Sequence, residues 1–440
     1  MAAAADTRSG AVRQAAWAAL LLVTAGGITG ILNLFFNVVV ARGGGVSAYS
    51  VIGPLLMLGT VAGLLATGLQ YGVARVAALA PGPAREMVRP AFRAVLPWVL
   101  ATLILALLAV PIARFLHLSS PVPVLIVTVL AASSVAAAAV GGLLIGLRRF
   151  RVIASLGIAF AALRLVLGFA LGRGGGAVDG SIVASLVPIL GSMLLGLAIL
   201  LHWSQPSDRT GVSDRLGGSG GIGHTGFVGA LVAGAMWTIW GMPVLFARHA
   251  LSPVTAGDFA ASQLLAGGII WVTAPLITAF YPTIVRHKHW SPIATGAIGT
   301  VAIALSALVT LTALGPALID KFYGGQFSGS RGTLLILTLS ATATACAAFA
   351  CWTALARKQA IRLTLALLVL ALLIELVWDA LAGRTETLLA AGPLLALALS
   401  GGTVVTATII FIRRASTSSA PEDSESSAVR LLSSQVRSDP

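Results

Sequence analysis

Apolar residues run along this chain in blocks of about 20 to 25, separated by polar turns. Twelve such blocks can be read, at 17–41, 49–73, 94–113, 122–146, 152–172, 181–203, 227–247, 259–283, 292–318, 333–355, 363–381 and 388–412. Each matches the roughly 20-residue helix that crosses a hydrocarbon core about 30 Å thick. A closed barrel would need short alternating strands, so the expected fold is an all-α polytopic membrane protein of 12 transmembrane helices.

The blocks also repeat. Val38-Val39-Val40-Ala41-Arg42 closes the first, and Val244-Leu245-Phe246-Ala247-Arg248 closes the seventh. In both places a short polar turn leads into a long apolar helix that ends in basic residues, at Arg75 in one half and at Arg286 and Lys288 in the other. Gln205 to Gly226, rich in Gly and Ser, is the one long polar break, and it divides the blocks six and six. The expected organisation is a cytoplasmic leader at 1–15, a six-helix bundle at 16–204, a cytoplasmic linker at 205–226, a second six-helix bundle at 227–414 and a disordered tail at 415–440. Six crossings return the chain to its starting side, so the bundles are related by a pseudo-two-fold axis along the membrane normal. Repeats arranged in this way leave a cleft that can open to either side in turn.

Composition agrees with this pattern. An apolar fraction of 58%, a charged fraction of 10% and a mean hydropathy of +0.97 exclude a soluble protein. The net charge of +14 is not a nucleic-acid footprint, because its cations are distributed by loop. Twenty of the 28 Lys and Arg lie on one set of turns and at the termini. Only Arg42, Arg114, Arg173, Arg248, Lys321, Arg331 and Arg384 lie on the other. Basic residues collect on the cytoplasmic side, which predicts a multi-pass protein of the bacterial cytoplasmic membrane with both termini cytoplasmic. The first block is too long for a signal-peptide core and is read as a retained helix. Arg85, Arg89 and Arg93, spaced by four, predict an interfacial helical turn over Ala84 to Val95. Cys346 and Cys351 read as apolar packing residues.

Candidate chemistry is sparse and sits inside the spans. Arg164 falls near the middle of the fifth block, where an arginine costs about 2.5–3.5 kcal/mol on the insertion scale and normally faces a cavity or a partner. It either pairs with Glu375 or Asp379 on the eleventh block or lines a cavity, and the cavity is the reading preferred here. Glu375 is a candidate for ion coupling, whereas Asp379 near the block's end is expected to be solvated. Arg42, Arg75 and Arg248 near helix ends, with Asn33, Asn37 and Gln70 on the first two helices, give an expected cationic, hydrogen-bonding interior. Planar guanidinium groups match phosphate oxygens, and amides match sugar hydroxyls. Arg42 and Arg248 read equally well as interfacial snorkels. Pro275 and Pro282 mark a bend in the eighth helix, of the kind found in gates and in static kinks alike. Gly218 to Thr225 imitates a phosphate-binding loop, but His224 stands where its lysine would be and no strand precedes it. No catalytic residue, metal site or cofactor is expected, and the protein is read as a non-enzyme.

Ala41-Arg42-Gly43-Gly44-Gly45-Val46-Ser47-Ala48-Tyr49 resembles the Arg-Leu-Leu-Gly-Pro-x-x-Tyr-Gly turn of Wzx-type polysaccharide flippases in the multidrug/oligosaccharidyl-lipid/polysaccharide (MOP) exporter superfamily. Gly68 to Arg75 is similar to the end of that family's second helix, Val244 to Ala261 to its junction of helices seven and eight, and Phe280-Tyr281-Pro282 to the close of helix eight. The sequence departs from the family in its triple glycine, which lacks the Pro, and in Pro243, which replaces an acid. The resemblance implies translocation of a polyprenyl-(di)phosphate-linked sugar or oligosaccharide by alternating access, for cell-envelope polysaccharide biosynthesis. The implied partners are that lipid-linked sugar, membrane lipid and glycosyltransferases of the same pathway, with no nucleic acid. The alternative is a multidrug or small-solute exporter on the same scaffold. A lipid-linked glycosyltransferase would carry an outer loop large enough for a catalytic domain, and this chain has none. A sugar facilitator would carry Gly-x-x-x-Asp-Arg-x-Gly-Arg after helix two, and Ala77 to Arg89 does not.

Overall fold

A computed structural model of the chain describes residues 2–79, 83–173, 176–202, 222–286, 291–325, 327, 330–357, 361–383 and 385–398. Most of the expected linker, the whole expected tail and the second half of the last apolar block lie outside the described residues. Every described element is helical: α1 (Ala2–Leu79), α2 (Ala84–Ile104), α3 (Ala109–Phe115), α4 (Val122–Gly146), α5 (Phe150–Leu171), α6 (Ala177–His202), α7 (Ile222–Ala250), α8 (Pro253–Arg286), α9 (Ser291–Tyr323), α10 (Arg331–Arg357), α11 (Ile361–Ala382) and α12 (Glu386–Ala398).

The first two apolar blocks form the two arms of α1, folded back on each other at Gly45. There φ is 75° and ψ 174°, a conformation that costs a glycine little and a side chain much. The Tyr49 hydroxyl consequently donates to Asn37 Oδ1 at 3.3 Å. An unbroken helix would hold those residues about 18 Å apart. Both arms reach the same stretch of α8, at Pro275 through Gly26 and at Tyr281 through Tyr71, so they run antiparallel. Gly324 (φ 85°) and Gly383 (φ 61°) end α9 and α11 in the left-handed conformation typical of helix C-termini.

The expected interfacial turn at Ala84 to Val95 is not separate. It is the start of α2, which runs on through Leu105–Leu108 as a 3-10 turn into α3, making one crossing. Met87, Ala91 and Val95 are buried at the same spacing as the exposed arginines, and this apolar stripe keeps the segment packed as part of the span. The 3-10 tightening precedes Pro111, which lacks the N–H that would bond to Leu107 and crowds that carbonyl.

Burial follows the sequence repeat. In α1, α4, α7, α8 and α10 between 47% and 61% of the most apolar window is buried, against 11–28% in α2–α3, α5, α6, α9 and α11. Counting α1 as two crossings, the first, second and fourth helices of each half are central. Large apolar side chains on the peripheral helices, such as Leu107, Leu381 and Ile298 at 79%, 78% and 70% exposure, face outward, as suits a surface against lipid. The molecule is a multi-pass membrane protein of two helical bundles.

Candidate functional site

Two cavities lie in the middle of the molecule. One, of about 480 Å³, is walled mainly by α1, α4, α5 and α6 of the first bundle. The other, of about 520 Å³, lies between the bundles, against α1, α7, α8 and α9. They share Asn33, Leu56, Thr60, Arg164 and Trp271 in their walls. Arg164 is thus placed where the two spaces meet.

Its position is fixed from three directions. Nε donates to Ser185 Oγ on α6 at 3.1 Å, Nη1 donates to Asn33 Oδ1 on α1 at 2.9 Å, and the Phe36 ring lies 4.1 Å below Cζ. A guanidinium has five N–H groups, so three remain, all on Nη1 and Nη2. Arg164 hydrogen-bonds to neutral groups and not to Glu375 or Asp379, which leaves its charge uncompensated among the described residues. Phe36 and Ser185 carry no signal in the sequence, because each is one residue of its kind within an ordinary apolar block.

The other expected site residues divide in two. Asn37 lines the inter-bundle cavity and Gln70 the first-bundle cavity. The Arg75 backbone lies one turn beyond Tyr71, and its side chain is outside what the structure describes. Arg42 and Arg248 line neither cavity and instead cross between the bundles at the Gly45 end. Arg42 Nη2 donates to the Lys321 carbonyl at 2.6 Å, in the last turn of α9. Arg248 Nε donates to the Leu116 carbonyl at 3.1 Å, just past α3, and its Nη1 to Ser50 Oγ at 3.0 Å. Each arginine ends the first helix of its own half and caps the third helix of the other, where unpaired carbonyls and the negative end of the helix dipole favour a cation. The arginines are 206 positions apart and their acceptor carbonyls 205, so this double latch obeys the pseudo-two-fold. Tyr49 packs against Tyr323 and Phe327 at 6.1 and 6.0 Å just beneath it.

The opposite end is closed by close approach. A Cβ on Gly68 would lie 2.0 Å from the backbone nitrogen of Ala230, so only glycine lets α1 and α7 touch there. Tyr71, Tyr281 and Trp352 pack together next to this contact, with Tyr71 4.8 Å from each of the other two rings. Gly68→Val should prevent this end from closing. The expected result is that a cysteine placed at Gly229 reacts with maleimide much faster in the variant than in its parent. Equal labelling would mean that the contact is not a gate.

Glu375 and Asp379 are buried, at 0% and 2% exposure, which corrects the expectation that Asp379 is solvated. None of their four carboxylate oxygens has a hydrogen-bond partner among the described residues. α12 lies so closely over Glu375 that a Cβ on Gly392 would sit 2.6 Å from its Oε1. The pair is in the second bundle and belongs to neither cavity wall.

No protein-family model matches this sequence, and no curated protein matches it in sequence either. Solved structures do match. An inward-facing multidrug resistance MATE family transporter of the MOP superfamily superposes with a TM-score of 0.63 at 16% identity, over 91% of this chain and 100% of that one. The chain has the MOP superfamily fold. A MOP superfamily transporter from Pyrococcus furiosus, described as having a binding pocket of reverse polarity, gives 0.59 at 16% identity, over 90% of this chain and 95% of that one. Lipid II flippase MurJ in an inward closed conformation gives 0.60 at 14% identity, over 92% and 94%. The MOP fold consists of 12 helices in two bundles. The described helices account for eleven of these crossings, with α12 as the start of the twelfth.

Proposed function

We propose that the protein is a flippase that carries an anionic, lipid-linked sugar across the bacterial cytoplasmic membrane by alternating access of its two bundles. Arg164 carries this reading. A mid-span guanidinium that is rigidly held, faces a cavity and has no acid beside it is poised for an anion. The neutral donors and acceptors Asn33, Asn37, Thr60 and Gln70 suit sugar hydroxyls. The lipid tail would stay in the bilayer while the head group passes, with both termini cytoplasmic and the Gly45 end facing outward. Cell-envelope polysaccharide biosynthesis, with glycosyltransferases of the same pathway as neighbours, is the setting this implies.

Glu375, with Asp379, is proposed as the ion-coupling site. Two carboxylates buried without partners favour binding a proton or a cation, because leaving both charged and bare is costly. Glu375→Gln is expected to uncouple transport from an imposed ion gradient while leaving binding of the lipid-linked sugar unchanged. Gradient-driven flipping at the parent rate would remove Glu375 from this role.

A multidrug or small-solute exporter is the second reading. It is favoured by the likeness to MATE transporters and by the tryptophan pair Trp237 and Trp271, 5.2 Å apart, in the inter-bundle wall. Proteoliposomes separate the two. The flippase reading expects inward-to-outward movement of a fluorescent polyprenyl-linked sugar and no dye efflux, and the reverse outcome would select the exporter.

A further inference from the structure

The cavities differ sharply in what they can hold by charge. Among the described residues lining either space, Arg164 is the single ionisable group apart from the phenol of Tyr49, and no carboxylate or second cation joins it. Arg42 and Arg248 are committed to carbonyls at the Gly45 end. The Arg75 backbone lies past the Tyr71 cluster at the other end. The remaining walls are apolar, hydroxyl or amide.

The geometry of Arg164 sets the count further. With Nε given to Ser185 and one Nη1 hydrogen to Asn33, the free edge is the Nη1–Nη2 fork. That edge offers two parallel N–H bonds, the match for two oxygens of one phosphate. Phe36 covers one face of the guanidinium, so a second anionic group cannot stack there. A diphosphate would bring a second negative charge into a low-dielectric space with no second cation among the described residues to meet it, and such uncompensated burial is strongly unfavourable. Trp271, which lines both spaces, offers a flat apolar face for the C–H side of a sugar ring.

Resting on the anionic-head-group reading above, we propose that the substrate carries one negative charge: a polyprenyl monophosphate bearing a mono- or disaccharide through a phosphodiester, and not a diphosphate-linked glycan. Arg164 binds the single phosphate through its Nη1–Nη2 edge. The sugar occupies the shared space beside Asn33, Thr60 and Trp271.

The test is a binding comparison on the full-length protein in nanodiscs, read by native mass spectrometry. The probes are three synthetic lipids with the same prenyl chain and hexose, joined by a monophosphate, by a diphosphate or by a neutral ether. The monophosphate lipid is expected to bind at least about tenfold tighter than the other two. Arg164→Gln should lower it to the level of the neutral lipid, and Arg164→Lys should keep the ranking. Thr60→Lys, which adds a second cation to both cavity walls, should move the preference toward the diphosphate. Diphosphate binding as tight as or tighter than monophosphate, with both lost in Arg164→Gln, would overturn this proposal and leave the anionic-head-group reading standing. Neither phosphate preferred over the neutral lipid would overturn both.

Discussion

Replacing Arg164 with alanine is expected to abolish flipping of a lipid-linked sugar in proteoliposomes while leaving the protein folded and inserted. The effect on substrate should be large, because the variant removes the one cation among the described cavity residues along with its two-pronged phosphate edge. A charge-assisted, bidentate contact in a desolvated site is worth about 3 kcal/mol, or roughly a hundredfold in affinity. The effect on stability should be small. Two hydrogen bonds, to Asn33 and Ser185, are lost, but so is the roughly 2.5–3.5 kcal/mol cost of holding an arginine at mid-span. Arg164→Lys should fall between the two. Its compact ammonium keeps the charge but cannot reach Ser185 and Asn33 together while presenting a fork. Flipping by Arg164→Ala at more than about a tenth of the parent rate, with equal insertion, would separate this residue from transport.

The second large effect is expected at the Gly45 end. The double variant Arg42→Ala, Arg248→Ala removes all three hydrogen bonds with which these arginines tie the bundles together there. Closure at this end is one side of a two-state balance, so losing contacts made only in the closed form shifts that balance toward opening. The two arginines should not contribute equally. Arg42 is exposed and makes one bond, so solvent competes for its charge. Arg248 is half-buried and makes two, so Arg248→Ala alone should produce most of the shift. At about 1.4 kcal/mol, one such contact changes the open-to-closed ratio about tenfold. Spin labels on Ser47 and Ser252, one on each bundle, would report this as a longer distance population in double electron–electron resonance. An unchanged distribution in the double variant would show that the aromatic packing of Tyr49, Tyr323 and Phe327 closes this end without the arginines.

The sequence was most informative where one solvent dictates the pattern. Lipid demands long apolar helices, so the apolar blocks, their division into halves and the polar turn at Gly43 to Gly45 could be read before any coordinates. Arg164 was legible for the same reason, since a charge in the middle of an apolar block needs a cavity or a partner. Which of these it has was not legible, because the choice depends on Ser185 and Asn33, which meet it only through helix packing. The same limit applies to Arg42 and Arg248. Their place at helix ends was evident, but their acceptors are backbone carbonyls on the opposite bundle, and backbone atoms leave no mark in composition. Asp379 was expected at the water boundary from its position near the end of α11. It is buried instead, one turn from Glu375, over which α12 lies directly at Gly392, a packing detail that hydropathy does not carry. The separate interfacial turn expected at Ala84 failed differently. Its arginines do have the spacing of a surface helix, but the apolar stripe at Met87, Ala91 and Val95 continues without a break into the span.

A phosphate-bearing lipid head group is expected to enter the space in front of Arg164. Photo-crosslinking tests it most directly. A benzophenone amino acid at Phe160, in the wall of the first cavity, and a control at Leu107, 79% exposed on the peripheral face, would each be irradiated in membranes containing a polyprenyl-phosphate sugar. The account predicts a covalent adduct carrying both lipid and phosphosugar at Phe160, lost in the Arg164→Ala background, with none of the phosphosugar lipid enriched at Leu107. Equal capture at both positions, or capture at Phe160 that survives the loss of Arg164, would contradict it.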